Sequence, residues 1–142
     1  MDRTLAIVKP DAFEKGYMGD IISMILADGF YISNIKIIKM TKRQAAKFYE
    51  VHKDRPFYED LQTYMSSGHI VPMVLYRPDA VNEFRRLIGA TDPLLAAEGT
   101  IRKRFATNKS YNAIHGSDSV ENAEKEVHFF FKESEIVANL HF

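Results

Sequence analysis

The chain has 142 residues, which is long enough for one domain with a buried core. Nineteen basic residues balance nineteen acidic ones, so there is no global positive field for a nucleic-acid backbone, and any phosphate binding must come from a local cluster. The absence of cysteine excludes disulfides and thiolate metal sites. The apolar stretch at 70–76 is too short to span a membrane, and the N-terminus lacks the apolar core of a signal peptide, so we expect a cytoplasmic protein.

The N-terminal part of the chain predicts a strand, a helix and a second strand. Residues 5–8 are a short apolar run that ends just before Pro10, as expected for a strand. Residues 19–28 carry a broad apolar helical face, and Gly29 follows as a terminator. Residues 31–40 are rich in isoleucine with polar residues between, which predicts a strand.

The middle of the chain predicts two helices followed by a buried strand. Thr41 and Gln44 have the spacing of a capping box, which opens a helix that runs towards Val51. Residues 57–66 form a second helical pattern. The apolar run at 70–76 predicts a strand that is buried on both faces.

The C-terminal half predicts a regular helix, a long irregular segment, and a final helix and strand. The first helix covers residues 79–88. Residues 90–118 are mostly irregular, with a short helix at 101–105. A last helix begins at Ser119, and residues 127–131 predict the last strand.

Residues 112–119, Asn-Ala-Ile-His-Gly-Ser-Asp-Ser, place one histidine in a reactive setting. Gly116, directly after His115, lets the backbone follow a tight or positive-φ path. Asp118 and Glu121 have the spacing of a capping box, so we expect His115 on a loop at a helix N-terminus, where unpaired amides attract phosphate. Because much of an imidazole is neutral at about pH 7, it can attack phosphorus without a base.

Taken alone, a histidine in a polar loop is more often a hydrogen-bonded structural residue than a nucleophile. Two further segments change this interpretation: residues 4–12, Thr-Leu-Ala-Ile-Val-Lys-Pro-Asp-Ala, and residues 52–57, His-Lys-Asp-Arg-Pro-Phe. Together with residues 112–119 they resemble the nucleoside diphosphate kinase family, with the three motifs in the family's order. The resemblance covers nearly the whole chain, and the histidine motif is its most specific part.

The resemblance implies an α+β fold with the ferredoxin-like split β-α-β arrangement, in which helices pack on a four-stranded antiparallel sheet. The predicted element order agrees with that fold: β-α-β, a helical pair, β-α, a long loop, and α-β. No linker, low-complexity segment or internal repeat divides the sequence. We therefore expect residues 1–142 to form a single nucleoside diphosphate kinase domain.

The resemblance also implies the reaction and its catalytic residues. The γ-phosphate of a nucleoside triphosphate would move to the nucleophile His115 and then to a second nucleoside diphosphate, with ping-pong kinetics. Tyr49 and Glu126 match the family residues that orient the histidine, and Ser117 would support the carboxylate and the helix cap. Glu126 lies about seven residues into its helix, roughly 10 Å from Ser119, so His115 must fold back over that helix to meet it.

The sequence contains no phosphate-binding loop of the G-x-x-x-x-G-K-[ST] type, so individual side chains must bind the nucleotide. By resemblance, these residues are Lys9, Phe57, Arg85, Thr91, Arg102 and Asn112. Lys9 also has a catalytic role in the family, and Phe57 would be a wall for base stacking, which tolerates base identity. In the helix at 79–88, the helical period places Arg85 at the edge of the apolar face and Arg86 away from it.

The residues alone leave other roles open for four of these side chains. Lys9 also fits a solvated charge at a strand end, and Phe57 fits a core residue at a helix start. Arg85 also fits an exposed side chain that covers apolar surface. Glu126 also fits a solvated position on a helix face.

The expected cofactor is Mg²⁺ carried by the nucleotide phosphates, because the sequence offers no cage of carboxylates for a protein-bound ion. The expected partners are nucleoside di- and triphosphates and further copies of the chain. The family contains hexamers, and its shorter-tailed bacterial members include tetramers; the chain, which ends at Phe142, lacks the long tail.

Three departures from the family pattern bear on nucleotide preference and assembly. Residues 103–104 are Lys-Arg where the family often has Gly-Asp. Lys109 stands where many members place a small apolar residue opposite the base-stacking phenylalanine. Residues 110–111 are Ser-Tyr in place of the frequent Gly-Arg. None of the three alters the histidine motif.

Two other functions remain as alternatives. A non-catalytic nucleotide-sensing or interaction domain could use the same fold, since fold alone does not fix function. The intact histidine motif and the full set of phosphate-binding residues argue against it. Nucleic-acid binding through the basic residues 102–104 and Lys109 is the weaker alternative, because the neutral net charge gives it little support.

Overall fold

The strands β1 (Asp2–Val8), β2 (Tyr31–Ile35), β3 (Val71–Arg77) and β4 (Ile114–Gly116) form one antiparallel sheet. These are the strands of the computed structural model, which describes residues 2–137. Their order across the sheet is β2-β3-β1-β4, which is the order of the ferredoxin-like split β-α-β fold. The predicted fold class is therefore confirmed.

Helices cover both faces of this sheet. Within the described residues they are α1 (Pro10–Glu14), α2 (Met18–Ala27), α3 (Lys42–Phe48), α4 (Tyr58–Met65), α5 (Ala80–Ile88), α6 (Ile101–Phe105) and α7 (Val120–Phe130). The buried side chains of α1, α2, α5 and α6 pack on one face, and those of α3, α4 and α7 pack on the other. No helix among residues 2–137 is long and apolar enough to cross a membrane.

The central strand β1 supplies both cores. Ala6 and Val8 face α2 and α5, whereas Leu5 and Ile7 face α3, α4 and α7. All four side chains are fully buried. Because successive residues of a strand point to opposite faces, a strand with helices on both sides must be apolar at every position. This explains why residues 5–8 form an unbroken apolar run.

Most predicted elements are confirmed within a few residues. Helices α2, α4, α5 and α6 lie where the sequence predicts them. The capping box of α3 is present: the Gln44 amide donates to Thr41 Oγ1 at 3.1 Å, and the Thr41 amide donates to Gln44 Oε1 at 2.9 Å. Strand β2 ends at Ile35, earlier than predicted, and Ile38 then forms an isolated bridge with Ile70. The short helix α1 was not predicted.

The predicted strand at 127–131 is wrong, because α7 continues to Phe130. The phenylalanine-rich sequence there favours a strand by local propensity, but tertiary packing determines that the segment is helical. Val127 and Phe130 are buried against the face of the sheet that carries Leu5 and Ile7, at a helical spacing of three residues. The fourth strand is β4, inside a segment predicted to be irregular.

Gly116 is required for a reason that the sequence does not reveal. Its backbone does not adopt a positive φ; the positive-φ residue nearby is Ala113, at 71°. A Cβ atom on Gly116 would lie 2.8 Å from Cδ2 of Phe84 and 3.1 Å from Cδ1 of Ile88. Of the tight or positive-φ path expected at Gly116, the positive φ is absent, and glycine is needed because α5 approaches the strand closely.

Helix α7 is capped by Ser119 rather than by Asp118. The Asn122 amide donates to Ser119 Oγ at 3.0 Å, which satisfies one of the free donors of the first turn. Asp118 instead accepts a hydrogen bond from the Asn122 side chain at 2.6 Å. The predicted capping box of Asp118 and Glu121 is wrong, although the helix begins where it was expected.

Candidate active site

His115 lies in β4 directly opposite Ile7 of β1, so the prediction that it occupies a loop is wrong. Residues opposite each other in antiparallel strands project to the same face. The side chain of His115 therefore points to the face that Ile7 shares with α3 and α7. Ser117, two residues further on, is buried on the same side, and its Oγ accepts a hydrogen bond from the Leu5 amide at 3.3 Å.

Glu126 joins His115 and Ser117 through one carboxylate oxygen. Helix α7 packs against β1, which brings its second turn above β4. His115 Nε2 lies 2.6 Å from Glu126 Oε1, and Ser117 Oγ donates to the same oxygen at 2.8 Å. The side chains of His115 and Glu126 are 17% and 19% exposed. The pair is therefore largely shielded from solvent, but a bound ligand can still contact it. The predicted approach of His115 to Glu126 is therefore present.

Two aromatic rings fix the other sides of the imidazole. The rings of Phe48 and Tyr49 meet His115 edge-on, with centroids at 5.5 and 6.3 Å. The Tyr49 hydroxyl is buried and has no hydrogen-bond partner among residues 2–137. Burial, together with the negative charge of Glu126, raises the pKa of Tyr49. The hydroxyl therefore remains protonated and is free to donate a hydrogen bond.

Lys9 is buried at the end of β1, where its Nζ donates to Asn112 Oδ1 at 2.8 Å. Burial, together with the positive charge of Arg102, lowers the pKa of Lys9 to about 8, and the negative charge of Asp11 partly opposes these two effects. A buried ammonium that is held by a neutral amide is costly in a folded protein. A bound anion would therefore stabilise the charged form of Lys9.

Arg102 is held by two backbone carbonyls rather than by a carboxylate. Its terminal nitrogens donate to Gly89 O at 3.0 Å and to Ile114 O at 2.9 Å. Burial and the charge of Arg85 lower the pKa of Arg102 to about 10. No carboxylate of residues 2–137 forms an ion pair with Lys9, Arg85 or Arg102. Arg102 is therefore repelled by both Lys9 and Arg85, while the carboxylates of Asp11 and Asp118 act on Lys9 and Arg85 without forming direct ion pairs.

Adjacent arginines of α5 differ as the helical period predicts. Arg86 forms ion pairs with Glu83 at 2.8 Å and with Asp28 at 2.7 Å, which draw it away from the site. Arg85 instead acts electrostatically on Arg102 and on Asp118, whose pKa is lowered mainly by its hydrogen bond with Asn122 and in part by Arg85. Arg85 is thus an exposed side chain that lies close enough to Arg102 and Asp118 to act on their charges.

A row of rings links His115 to Phe57. Tyr49 and His52 stack with centroids 6.4 Å apart, and His52 lies 5.6 Å from Phe57. Phe57, at the N-terminus of α4, is 42% exposed. No role was predicted for His52, although its spacing of three residues from Tyr49 places both on one side of a helical turn.

A cleft of about 640 Å³ opens above His115. Its walls include Tyr49, His52, Asp118 and Glu126. The cations Lys9, Arg85 and Arg102 lie beyond this cleft and do not line it, and Thr91 is exposed in the loop after α5. The structure thus groups Tyr49, His115, Ser117 and Glu126 in one cluster, and Lys9, Arg85, Arg102 and Asn112 in a second. Among the described residues, no group of three or more histidine or acidic side chains could hold a metal ion.

Comparison with known proteins identifies the family. The family model described as "Nucleoside diphosphate kinase" matches residues 2–136. The chain is 54% identical to the nucleoside diphosphate kinase of Chloroherpeton thalassium over 140 residues, which is 99% of each chain. It is 53% identical to that of Nitratiruptor sp. over 137 residues, covering 96% of this chain and 100% of the relative.

Solved structures agree with this assignment. The nucleoside diphosphate kinase of Aquifex aeolicus superposes with a TM-score of 0.94 at 46% identity, covering 96% of this chain and 99% of that one. The enzyme of Encephalitozoon cuniculi superposes with a TM-score of 0.93 at 34% identity, covering 98% and 95%. The fold, the histidine cluster and these likenesses lead to one conclusion: the chain belongs to the nucleoside diphosphate kinase family.

Proposed function

We propose that this nucleoside diphosphate kinase transfers the γ-phosphate through Nδ1 of His115. The reaction of the family is phosphoryl transfer from a nucleoside triphosphate to a nucleoside diphosphate by way of a phosphohistidine. The observation that carries the assignment is the 2.6 Å contact between His115 Nε2 and Glu126. A proton on Nε2 that is donated to the carboxylate leaves the lone pair on Nδ1.

The proposed reaction has two halves: phosphorylation of His115 by the donor, and transfer of the phosphate from His115 to the acceptor. Nδ1 forms a bond to the γ-phosphorus while the bond to the β-phosphate oxygen breaks, and the nucleoside diphosphate leaves with that electron pair. The imidazole becomes cationic, and Glu126 stabilises the positive charge through the Nε2 proton. In the second half-reaction, a β-phosphate oxygen of the acceptor attacks the same phosphorus, and the electron pair of the N–P bond returns to Nδ1. Ser117 and Tyr49 hold Glu126 and His115 in place.

The cations would bind the phosphates. Phosphoryl transfer depends mainly on positioning and on neutralising negative charge. Arg102 is repelled by both Lys9 and Arg85, so phosphate binding would relieve that repulsion. Asn112 and Thr91 would add neutral hydrogen bonds to the bound nucleotide. The orphaned Tyr49 hydroxyl would donate to an oxygen of the transferred group.

The reaction needs a divalent cation, and we propose that this ion is Mg²⁺ carried in by the nucleotide. The described residues offer phosphate-binding cations rather than a carboxylate cage, and Mg²⁺ prefers phosphate oxygens and water in such sites. The ion would neutralise charge on the phosphates. Lys9, Arg85 and Arg102 would then hold the phosphates in line with His115.

We propose that Phe57 stacks on the nucleobase and that the enzyme accepts several bases. Its exposed ring stands at the end of the row that begins at His115. A stacking contact is tolerant because every base has an aromatic face. Both purine and pyrimidine nucleotides, with ribose or deoxyribose, would be substrates.

We propose that the chain forms one domain, works in the cytoplasm and assembles as a homo-oligomer, either a hexamer or a tetramer. Strand β2 is an edge strand, and large apolar side chains are exposed on it and beside it, at Leu26, Ile35 and Ile37. Apolar groups at a sheet edge favour association between copies. Light scattering of the purified protein measures the number of copies, and a monomer would contradict the proposal. Nucleic-acid binding is not expected.

The test of His115 is transfer of label from γ-labelled nucleoside triphosphate. The parent protein should acquire label that is lost in acid and survives alkali, as a phosphohistidine does. His115→Ala should acquire none. His128→Ala is the matched control, because His128 is an exposed histidine of α7 paired with Glu133, and it should label like the parent. Full labelling of His115→Ala would show that another residue accepts the phosphate.

A further inference from the structure

We propose that Asp11 is a positioning residue for phosphoryl transfer. Its carboxylate holds the turn that precedes β4, and that turn places both Lys9 and His115. This inference rests on the proposed roles of Lys9 and His115. Asp11 lies in the first turn of α1 and follows Lys9 by two residues. The residue touches neither His115 nor Glu126, so its effect must pass through the backbone and through Lys9.

The Asp11 carboxylate connects two distant parts of the chain. Its Oδ2 accepts a hydrogen bond from the Ala113 amide at 3.2 Å, and its Oδ1 accepts one from the Tyr64 hydroxyl. The Asp11 amide in turn donates to the Tyr64 oxygen at 3.3 Å. The Tyr64 ring packs on Tyr111, with centroids 4.7 Å apart. Helix α4 and the segment before β4 are thus joined through one side chain.

The segment before β4 needs such a connection because Ala113 has a φ of 71°. A residue with a Cβ atom resists this left-handed conformation, and surrounding contacts must enforce it. The same turn carries Asn112, which holds the Lys9 ammonium at 2.8 Å, while the Lys9 amide donates to Ala113 O at 2.8 Å. His115 follows two residues later. The shape of the turn therefore sets the place of both the cation and the nucleophile.

Asp11 also provides the negative charge that favours the ammonium form of Lys9. Two charged groups act on Lys9 in the described structure: Arg102, which disfavours the ammonium, and Asp11, which favours it. Neutral Asn112 contributes only its hydrogen bond. Removal of the Asp11 charge would leave burial and Arg102 unopposed, and Lys9 would lose its proton at a lower pH.

The experiment measures the rate of His115 phosphorylation by γ-labelled ATP in single-turnover quench-flow, as a function of pH. Asp11→Asn keeps an acceptor for the Ala113 amide and removes the charge. We expect at least a tenfold slower rate at pH 8 and an alkaline midpoint that moves to lower pH. Asp20→Asn, which changes an exposed carboxylate in the first turn of α2, should match the parent in both respects.

Tyr64→Phe is the second variant, because it keeps the charge and the ring and removes only the hydroxyl. We expect a rate about threefold lower with an unchanged midpoint, and circular dichroism should confirm that each variant is folded. An unchanged midpoint in Asp11→Asn, or an unchanged rate in Tyr64→Phe, would overturn the proposal. Absence of label on His115 in the parent would instead refute the proposed nucleophile, so the two failures are distinguishable.

Discussion

Ile7 and His115 stand opposite each other in adjacent antiparallel strands, so a core side chain and the proposed nucleophile share one face of the sheet. Ile7 is fully buried beneath α7, and His115 at the sheet edge meets the same helix through Glu126. The packing that stabilises the fold therefore also sets the distance between imidazole and carboxylate. Changes in how α7 packs on the sheet should therefore alter the distance between His115 and Glu126.

Replacing Glu126 should slow phosphorylation more than it weakens folding. Glu126→Gln keeps a hydrogen-bond acceptor but loses the charge that is proposed to stabilise the phosphorylated imidazole. We therefore expect about a tenfold loss of kcat, and about a hundredfold loss for Glu126→Ala. Glu121→Gln is the control, since Glu121 is an exposed acid of the same helix. Steady-state kinetics of the three variants decide the matter, and equal effects of Glu126→Gln and Glu121→Gln would contradict the role of Glu126.

Arg85 and Arg86 form a matched pair of variants for testing whether the cations of the site bind phosphate. Arg85→Ala should cost about 2–4 kcal/mol of transition-state stabilisation, measured from kcat/KM, because no other group takes over its charge. Arg86→Ala should leave kcat/KM nearly unchanged and lower the stability by about 0.5 kcal/mol, as expected for an exposed ion pair. Comparable losses of kcat/KM in both variants would show that the helical phase of α5 does not separate their roles.

Lys9 should give the reaction an alkaline limit. Its pKa is about 8 in the folded protein, so the ammonium that we propose binds phosphate is lost as the pH rises through that value. We expect kcat/KM of the parent to fall above about pH 8. A kcat/KM that stays flat to pH 9.5 would show that the charge of Lys9 is not needed.

Burial of Lys9 should also appear in the stability of the protein. The pKa is about 8 when folded and 10.5 for an ordinary lysine, so between these values the unfolded chain binds the proton and the folded chain does not. The free energy of unfolding of the parent should therefore rise with pH in that window, relative to Lys9→Met. Thermal unfolding of both proteins at pH 7 and 9.5 measures the difference, which should be absent if Lys9 is solvated.

Gly116→Ala should disturb the site through the core. The added methyl group would lie 2.8 Å from the Phe84 ring, so α5 or β4 must move, at a cost of about 1–3 kcal/mol. His115 is the preceding residue, and we expect its phosphorylation rate to fall as well. Gly19→Ala is the control, because a Cβ there meets nothing within 4 Å. Partial recovery in Gly116→Ala combined with Phe84→Leu would identify the clash as the cause.

Substrate breadth should follow from stacking on Phe57. With no donor–acceptor set to read a base edge, kcat/KM for four nucleoside diphosphate acceptors should differ by much less than about a thousandfold. Lys109 is exposed near Asn112 and could favour bases with carbonyl oxygens. A spread beyond about a thousandfold that Lys109→Ala abolishes would show that the site reads base edges. Steady-state kinetics at a fixed donor concentration supply the comparison.

Local sequence signals account for most of the fold. Helices with a capping box or a terminal glycine, such as α3 and α5, were predicted close to their true ends because caps and apolar periodicity are local properties. Strand β4 was not predicted, since a three-residue strand has no periodicity of its own and exists through its pairing with β1. Residues 127–131 were predicted as a strand because three phenylalanines favour one, whereas tertiary packing continues the helix to Phe130.

The sequence predicts the histidine cluster better than the cation cluster. His115 and Ser117 lie within one motif, whereas Tyr49 and Glu126 were assigned to their cluster by resemblance to the family. Lys9, Arg85 and Arg102 come from three distant segments, and nothing local indicates that they meet. Resemblance to the family supplied that grouping. The link from Asp11 to Ala113 depends on a backbone conformation that the residue type alone does not suggest.

The contact between His115 Nε2 and Glu126 has a consequence for competition between substrates. With one ring nitrogen engaged by the carboxylate, a single nitrogen faces the cleft, so donor and acceptor must use the same approach to the same phosphate-binding groups. A nucleoside diphosphate that binds before the donor has delivered its phosphate occupies that approach in an unproductive complex. Excess nucleoside diphosphate should therefore inhibit its own phosphorylation. A higher concentration of nucleoside triphosphate should relieve this inhibition.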